Sequence, residues 1–463
     1  LCEVPALSLS LPQRGREYGV PSPVWERVAK GRVRGLRATP RFPSQDEKTL
    51  ISELETTVVS SVVSGWTLNW VVKICLAIII ILSGCVFEKS ARAEAVPEKK
   101  GHESRLRVAI FPVDNLSGAF VPVRDLRLAW IEKLKEIGLD VIDDENLENT
   151  LERHRIRYIG GVDSKAARAF KEEAGADAVL ITSLEYSNEY YPPKIALVSR
   201  LTSTGDNPSI LWIDSVGMAG DDSPGILGLG LIPDLATLQQ RALQKLAVSL
   251  ESSLRTNPLS HDKLDYESKY RPKQFYNASQ LNAEKKVTIA VVPFYNNSMR
   301  KRAGDLLQAH FTRQLALEPG VVPIEPGIIR EKMLGIRMIM PQGVSIRDVD
   351  VLTYILDADF VLSGSVFDYQ DPRGGAGTPK LDFSTLMINR AERKVVMLAK
   401  SYNQGDDGVY FFDIGRENNA SVMAEKMSGS IVDMMEEIEK AQVRLRSFPE
   451  RVAPRIMGLQ PAH

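Results

Sequence analysis

The chain has 463 residues, 44% hydrophobic and 25% charged, with a net charge of −1. That length holds two domains or more, and so even a balance lacks the concentrated basic surface a nucleic-acid partner needs. The three cysteines, Cys2, Cys75 and Cys85, all fall near the start, so the rest of the chain has no disulfide and depends on a hydrophobic core.

Residues 1–65 are rich in Arg, Pro and Ser and show no sustained periodicity, and the first methionine is Met218. They are expected to be a disordered or spurious extension, with translation starting at Val72, Leu68 or Val58. Residues 66–85 form a signal segment. Lys73 gives a positive flank, Ile74 to Leu82 an apolar run, and Ser83-Gly84 a small-residue site before Cys85.

Leu82-Ser83-Gly84-Cys85 resembles the lipobox of bacterial lipoproteins. The resemblance implies peptidase recognition at Leu82, Ser83 and Gly84, and a diacylglyceryl group on the Cys85 thiol. Two alternatives stay open. One is an uncleaved anchor from Trp66 to Phe87, since about 20 apolar residues span a bilayer. The other is cleavage after Ala91-Arg92-Ala93, although Glu88 and Lys89 separate that site from the apolar run. Residues 86–105, charged and Pro-containing, read as a tether. Val86 is not the Asp that would favour inner-membrane retention, so the expected location is the outer membrane, facing the periplasm.

Past the tether the chain repeats itself. Ala109-Ile110-Phe111-Pro112 with Asn115 and Ser117 returns as Ala290-Val291-Val292-Pro293 with Asn296 and Ser298. Ala176-Asp177 returns as Ala358-Asp359, and Gly220-Asp221-Asp222 as Gly405-Asp406-Asp407. The period is far longer than a solenoid module, so each copy is a domain: 106–255 and 287–440, with a linker 256–286 and a loose tail 441–463.

In the first copy, Val108 to Phe111 predicts a buried strand ended by Pro112. Leu126, Trp130 and Leu134 predict a helix closed by Gly138, and Asp143 or Asp144 caps the next. A helix over 166–174 leads into a strand at 178–184 and two runs, 195–201 and 210–216, joined as a hairpin. A last helix carries Leu235, Leu238, Ala242, Leu246, Leu250 and Leu254 on one face. The second copy follows the same order, with Met423, Met427, Ile431, Met434 and Ile438 on its last helix. The fold class is therefore α/β (α+β), two tandem mixed-sheet domains of order β-α-β-α-α-β-β-β-α.

That order, with the Ala-x-x-Pro-x-x-Asn-x-Ser opening, resembles a family of bacterial envelope domains. It is shared by the N-terminal domain of TolB, the curli secretion lipoprotein CsgG and the penicillin-binding-protein activator LpoB. The resemblance covers 106–255 and 287–440 and implies binding of another cell-envelope protein or assembly into homo-oligomers, without catalysis or cofactor. A curli-type channel is the alternative. The insertions Tyr186 to Lys194 and Tyr369 to Lys380 are short for membrane hairpins, which need about 9–11 residues per strand.

Asp221, Asp222, Asp406 and Asp407 are weak candidates for a divalent cation, and with it a metal- or small-ligand-binding enzyme, set against turn chemistry. His102, His154, His261, His310 and His463 are scattered without ligand spacing. The apolar loops 224–232 and 409–412 occupy matching places. Leu227, Leu229, Tyr410, Phe411 and Phe412 are the expected partner contacts, the aromatics being the better anchor.

Overall fold

The computed structural model describes residues 106–223, 230–256, 268–278, 286–338, 343–344, 346–375, 377–409 and 415–447. The chain divides into two units, Leu1–Lys100 and Gly101–His463, and every described residue belongs to the second. The expected extension, signal segment and tether lie outside the described residues.

The first copy opens with β1 (Arg107–Ile110), buried from Val108 onward. After Pro112 the chain pairs briefly at β2 (Asp114–Asn115), which the composition alone presents as a turn. In α1 (Val123–Glu136), Leu126, Trp130 and Leu134 are buried, and Gly138 ends the helix at φ +91°. β3 (Asp140–Val141) follows, and the Asp143 carboxylate then caps α2 (Asp144–Arg153), accepting from the Asn146 N–H at 2.8 Å. Asp163 caps α3 (Ser164–Glu172) in the same way at Ala166.

β4 (Ala178–Asn188), β5 (Lys194–Ser203) and β6 (Ile210–Ala219) form an antiparallel meander. The sheet runs β3-β1-β4-β5-β6, with β1 parallel to both neighbours and β2 parallel to β4. α4 (Leu235–Thr256) closes the copy. Leu238, Ala242, Leu246 and Leu250 reach the core, but Leu254 is exposed because the helix outruns its core at Leu250.

The 256–286 linker is more than a connection. Tyr270 is fully buried in the second copy's core, and β7 (Gln274–Asn277) pairs antiparallel with β13 (Lys394–Gln404) as an edge strand. The second copy then runs β8 (Val287–Val291), β9 (Tyr295–Asn296), α5 (Ala303–Leu317), β10 (Val321–Pro323), α6 (Pro326–Gly335) and α7 (Ile346–Ile355). It ends with β11 (Phe360–Gln370), β12 (Lys380–Asn389), β13 and α8 (Ala420–Ser447). Its sheet order is β10-β8-β11-β12-β13-β7. The methionine stripe continues from Ile431 to Met435, one helical step on, so Met434 is only half-buried. The Ile438 side chain lies outside the described residues, and the helix carries the chain into the segment expected to be loose, as far as Ser447.

Helices lie on both faces of each of the two tandem mixed α/β sheets, covering only part of one face in the second. α1 and α4 cover one face of the first sheet through Trp130, Leu134, Leu243 and Leu246, while α2 and α3 cover β1 and β4 on the other through Leu147, Ala167 and Phe170. In the second copy α5 and α8 pack on one face, and α6 and α7 on the other. The remaining outer face of β5 and β6 is closed by the second copy itself, where Val198 and Ile213 meet Ala309 and Ala316 of α5. A Cβ on Gly217 would stand 2.5 Å from a Val422 methyl, so only glycine lets α8 lie this close.

Candidate functional site

The repeated Pro-x-x-Asn-x-Ser opening builds the same turn twice. Asn115 Oδ1 accepts from the Ser117 N–H (3.0 Å) and hydroxyl (2.6 Å), and its amide donates to the Ala119 carbonyl. Asn296 repeats this with Ser298 and the Arg300 carbonyl. The two turns also join the copies. Arg300 crosses to the first copy and donates to the carbonyls of Ser117 (3.0 Å) and Glu185 (2.5 Å).

The boundary between copies is rich in buried charge. Arg200, from β5, forks onto Glu325 at the cap of α6 (Nε to Oε2 3.1 Å), both side chains at 5% exposure or less. Glu325 also accepts from the Thr202 hydroxyl and the Val162 N–H, so the pair is heavily hydrogen-bonded. Arg313 of α5 bridges Asp214 (2.7 Å) and Glu425 (3.0 Å). Lys194 stands 3.5 Å from Asp371, whose other oxygen accepts from the Ala420 N–H at the start of α8. Burial drives the Asp371 carboxyl up to about 6, against the pull of Lys194.

Glu185, His310 and Ser421 also meet here, and the residue types invite a nucleophile reading. Ser421 donates to the Glu185 carboxylate and lies 3.4 Å from His310 Nε2, which is itself 3.2 Å from the same carboxylate oxygen. A relay needs serine and carboxylate on opposite ring nitrogens, and these groups crowd one. All three are buried, out of reach of a substrate. The trio is a packing element.

The aspartate pairs serve their turns. Asp222 accepts from the Ala219 N–H at 2.6 Å, and Asp407 from the Gln404 N–H at 2.9 Å. Burial raises the Asp222 carboxyl, which opposes the charge a cation would require. Asn418 donates to Asp221 at 3.3 Å. Among the described residues no group of three or more His, Cys, Asp and Glu is placed to hold a metal. His154 pairs with Glu173 at 2.6 Å, while His102, His261 and His463 lie outside the described residues. The two insertions considered as membrane hairpins brace each other: the Tyr186 hydroxyl donates to the Asp371 carbonyl (3.1 Å) and Lys194 to that of Pro372 (3.0 Å).

Among the described residues, one sheet face has no such cover. In the first sheet the outer face pairs Ala196 with Gly217, Val198 with Ser215 and Arg200 with Ile213, all beneath α5 and α8. The matching pairs of the second sheet are Asp382 with Tyr402, Ser384 with Lys400 and Leu386 with Leu398. Tyr276 on β7 stands opposite Leu398. Tyr276 (56%), Leu398 (44%), Phe367 (44%) and Tyr402 (37%) are exposed there, with Lys400 over the Phe367 ring at 3.9 Å.

Cys85 with Leu82, Ser83 and Gly84, and the loop residues Leu227, Leu229, Tyr410, Phe411 and Phe412, lie outside the described residues. Sequence reasoning passed over Tyr276, Phe367, Leu398 and Tyr402. The signal was there for Leu398 and Tyr402, which alternate with buried Met397, Ala399 and Ser401 along β13. In the sequence, however, Val395 to Ala399 is an unbroken apolar run, which is what a strand covered on both faces shows.

No family model matches the chain, and no curated protein does. Among solved structures, the PelC dodecamer from Paraburkholderia phytofirmans is similar at 15% identity and a TM-score of 0.26, over 35% of this chain and 94% of that one. Lipoprotein GNA1162 from Neisseria meningitidis is similar at 20% identity and a TM-score of 0.23, over 31% of this chain and 99% of that one. The LpoB C-terminal domain from Escherichia coli is similar at 12% identity and a TM-score of 0.20, over 27% and 87%. Likenesses this slight carry no argument about what the chain does.

Proposed function

We propose that this is a non-enzymatic, lipid-anchored protein of the bacterial outer membrane that docks another envelope protein on the open face of its second sheet. The observation behind this reading is the contrast between matched faces. Gly217 and Ile213, covered by helices in the first sheet, are replaced in the second by exposed Tyr402 and Leu398, with Tyr276 added by β7. Exposed aromatic and aliphatic side chains around an ion pair, Lys400 with Asp382, suit a protein contact. The anchor is Cys85, held on the sequence of its lipobox, and the loop carrying Tyr410, Phe411 and Phe412 is a second proposed contact.

A photo-crosslinking residue at position 398 or 402 in growing cells tests the docking face. One discrete adduct with an envelope protein is expected, absent when the crosslinker stands at the exposed Gln244 of α4. Adducts no different from that control would remove the docking surface. Cys85→Ala is expected to abolish radiolabelled palmitate incorporation and leave the precursor uncleaved. Normal labelling would refute the anchor while leaving the docking result to stand by itself.

A further inference from the structure

A cavity of about 380 Å³ opens at the carboxyl end of β8. β8 lies between β10 and β11, and its outgoing connection, α5, packs on one face of the sheet while α6 and α7 pack on the other. This is a topological switch point, where open α/β sheets leave room for ligands. The lining joins Phe294 and the first turn of α5, with Arg302, to Ile329, Arg330 and Met333 of α6 and to Met338.

The first copy shows what filling this space requires. There Arg127 of α1 donates to the Ile110 carbonyl (3.1 and 2.9 Å) and extends to Asp144 at 2.8 Å, closing the gap between its helices. In the second copy the same place on α5 holds Gln308. It reaches the equivalent carbonyl, that of Val291, at 2.7 Å and is too short to go further. The cavity is what the missing guanidinium leaves open.

The lining selects a chemistry. No side chain caps α5, whose first turn lines the cavity, and the partial positive charge of a helix start favours an anion. Arg302 is shared between Asp114 and Asp305, so its charge is spent on those two carboxylates. Arg330 lies over the Tyr158 ring at 4.4 Å and makes no ion pair among the described residues, so a cation stands at the mouth. The thioethers of Met333 and Met338 offer an adaptable apolar wall.

We propose that this cavity binds a small amphipathic anion, one carboxylate or phosphate on an apolar body, with the charge between Arg330 and the start of α5 and the body against Ile329 and Met333. The volume lies within the usual range for small-ligand sites.

Isothermal titration of the full chain with 4-phenylbutyrate tests this, alongside phenyl phosphate, the neutral 4-phenylbutanamide and the cationic 4-phenylbutylamine. Saturable binding of one anion per chain is expected, with the amide weaker by roughly tenfold, as for loss of a charge-assisted contact, and no binding of the amine. Tighter binding of phenyl phosphate would assign the site to phosphates, and tighter binding of phenylbutyrate to carboxylates. Gln308→Arg, which copies the first domain, should abolish binding, and Arg330→Gln should weaken it by about tenfold. Should Gln308→Arg lower the melting temperature sharply, Met333→Trp fills the cavity from the other wall and must give the same loss. No saturable binding of either anion, equal binding of the amine, or binding unchanged in the filled variants would overturn the proposal.

Discussion

The two copies share one fold and differ in what they leave open. In the first, Arg127 fills the switch point and the second copy's helices cover the outer sheet face. In the second, Gln308 stops short and the matching face carries exposed Tyr402 and Leu398. The first copy is thus closed at both places and acts as a foundation, while the second keeps two surfaces available. The scaffold is common to both copies, and a few side chains decide which of them is open at these places.

The comparison can be broken hardest at the boundary between the copies. Glu325→Ala leaves Arg200 buried without its partner, and about 3–5 kcal/mol of stability should be lost. Urea unfolding measures this, and a loss below about 1 kcal/mol would mean the boundary does not hold the copies together. Next, Gly217→Tyr writes the second copy's residue into the first. It meets Val422 at once and should cost about 1–3 kcal/mol or more, with α8 displaced. Faster proteolysis within α8 would register it, and an unchanged digestion pattern would contradict the close packing.

Asp371 gives the boundary a pH dependence. Its folded value, about 6, exceeds the ordinary 3.8, so the folded protein holds this proton more tightly than the unfolded chain. Its stabilising contribution is complete only below the unfolded value of 3.8 and is lost as pH rises through about 6, an effect of about 3 kcal/mol. Urea midpoints at steps between pH 4 and 7 should show this fall in the wild type, and Asp371→Asn should remove it from the slope. A slope that survives the substitution would assign it to another group. Smallest of all, Tyr402→Ser on the open face should change stability by no more than about 0.5 kcal/mol while weakening the docked adduct. A large drop in melting temperature would show that Tyr402 supports its own sheet.

Most of the architecture was legible because local chemistry and fold agree. Asp143 caps a helix as its position before Leu147 implies, Gly138 ends one at positive φ, and Trp130 and Phe311 mark matching core positions on matching helices. β7 was not legible, because four residues among charged neighbours become a strand only when β13 offers an unpaired edge. The boundary between copies was hidden for a related reason. Glu325 and Arg200 read as surface residues until the fold brings them together across the sequence. The Asn-x-Ser turns were legible since their partners are within a few residues, as are those of Asp222 and Asp407.

The glycine-tight contact beneath Val422 has a further consequence, in the order of synthesis. The first copy leaves the ribosome before the helices that cover it, and its β5–β6 face, with Val198 and Ile213, stays bare until α5 and α8 arrive. Domains made early usually fold early, but this one cannot finish until translation is nearly over. Under the export proposed above, that delay would leave an apolar strand pair open to chaperones while the chain crosses the membrane. A fragment ending at Thr256 should therefore stay bound to them, whereas the intact chain is released.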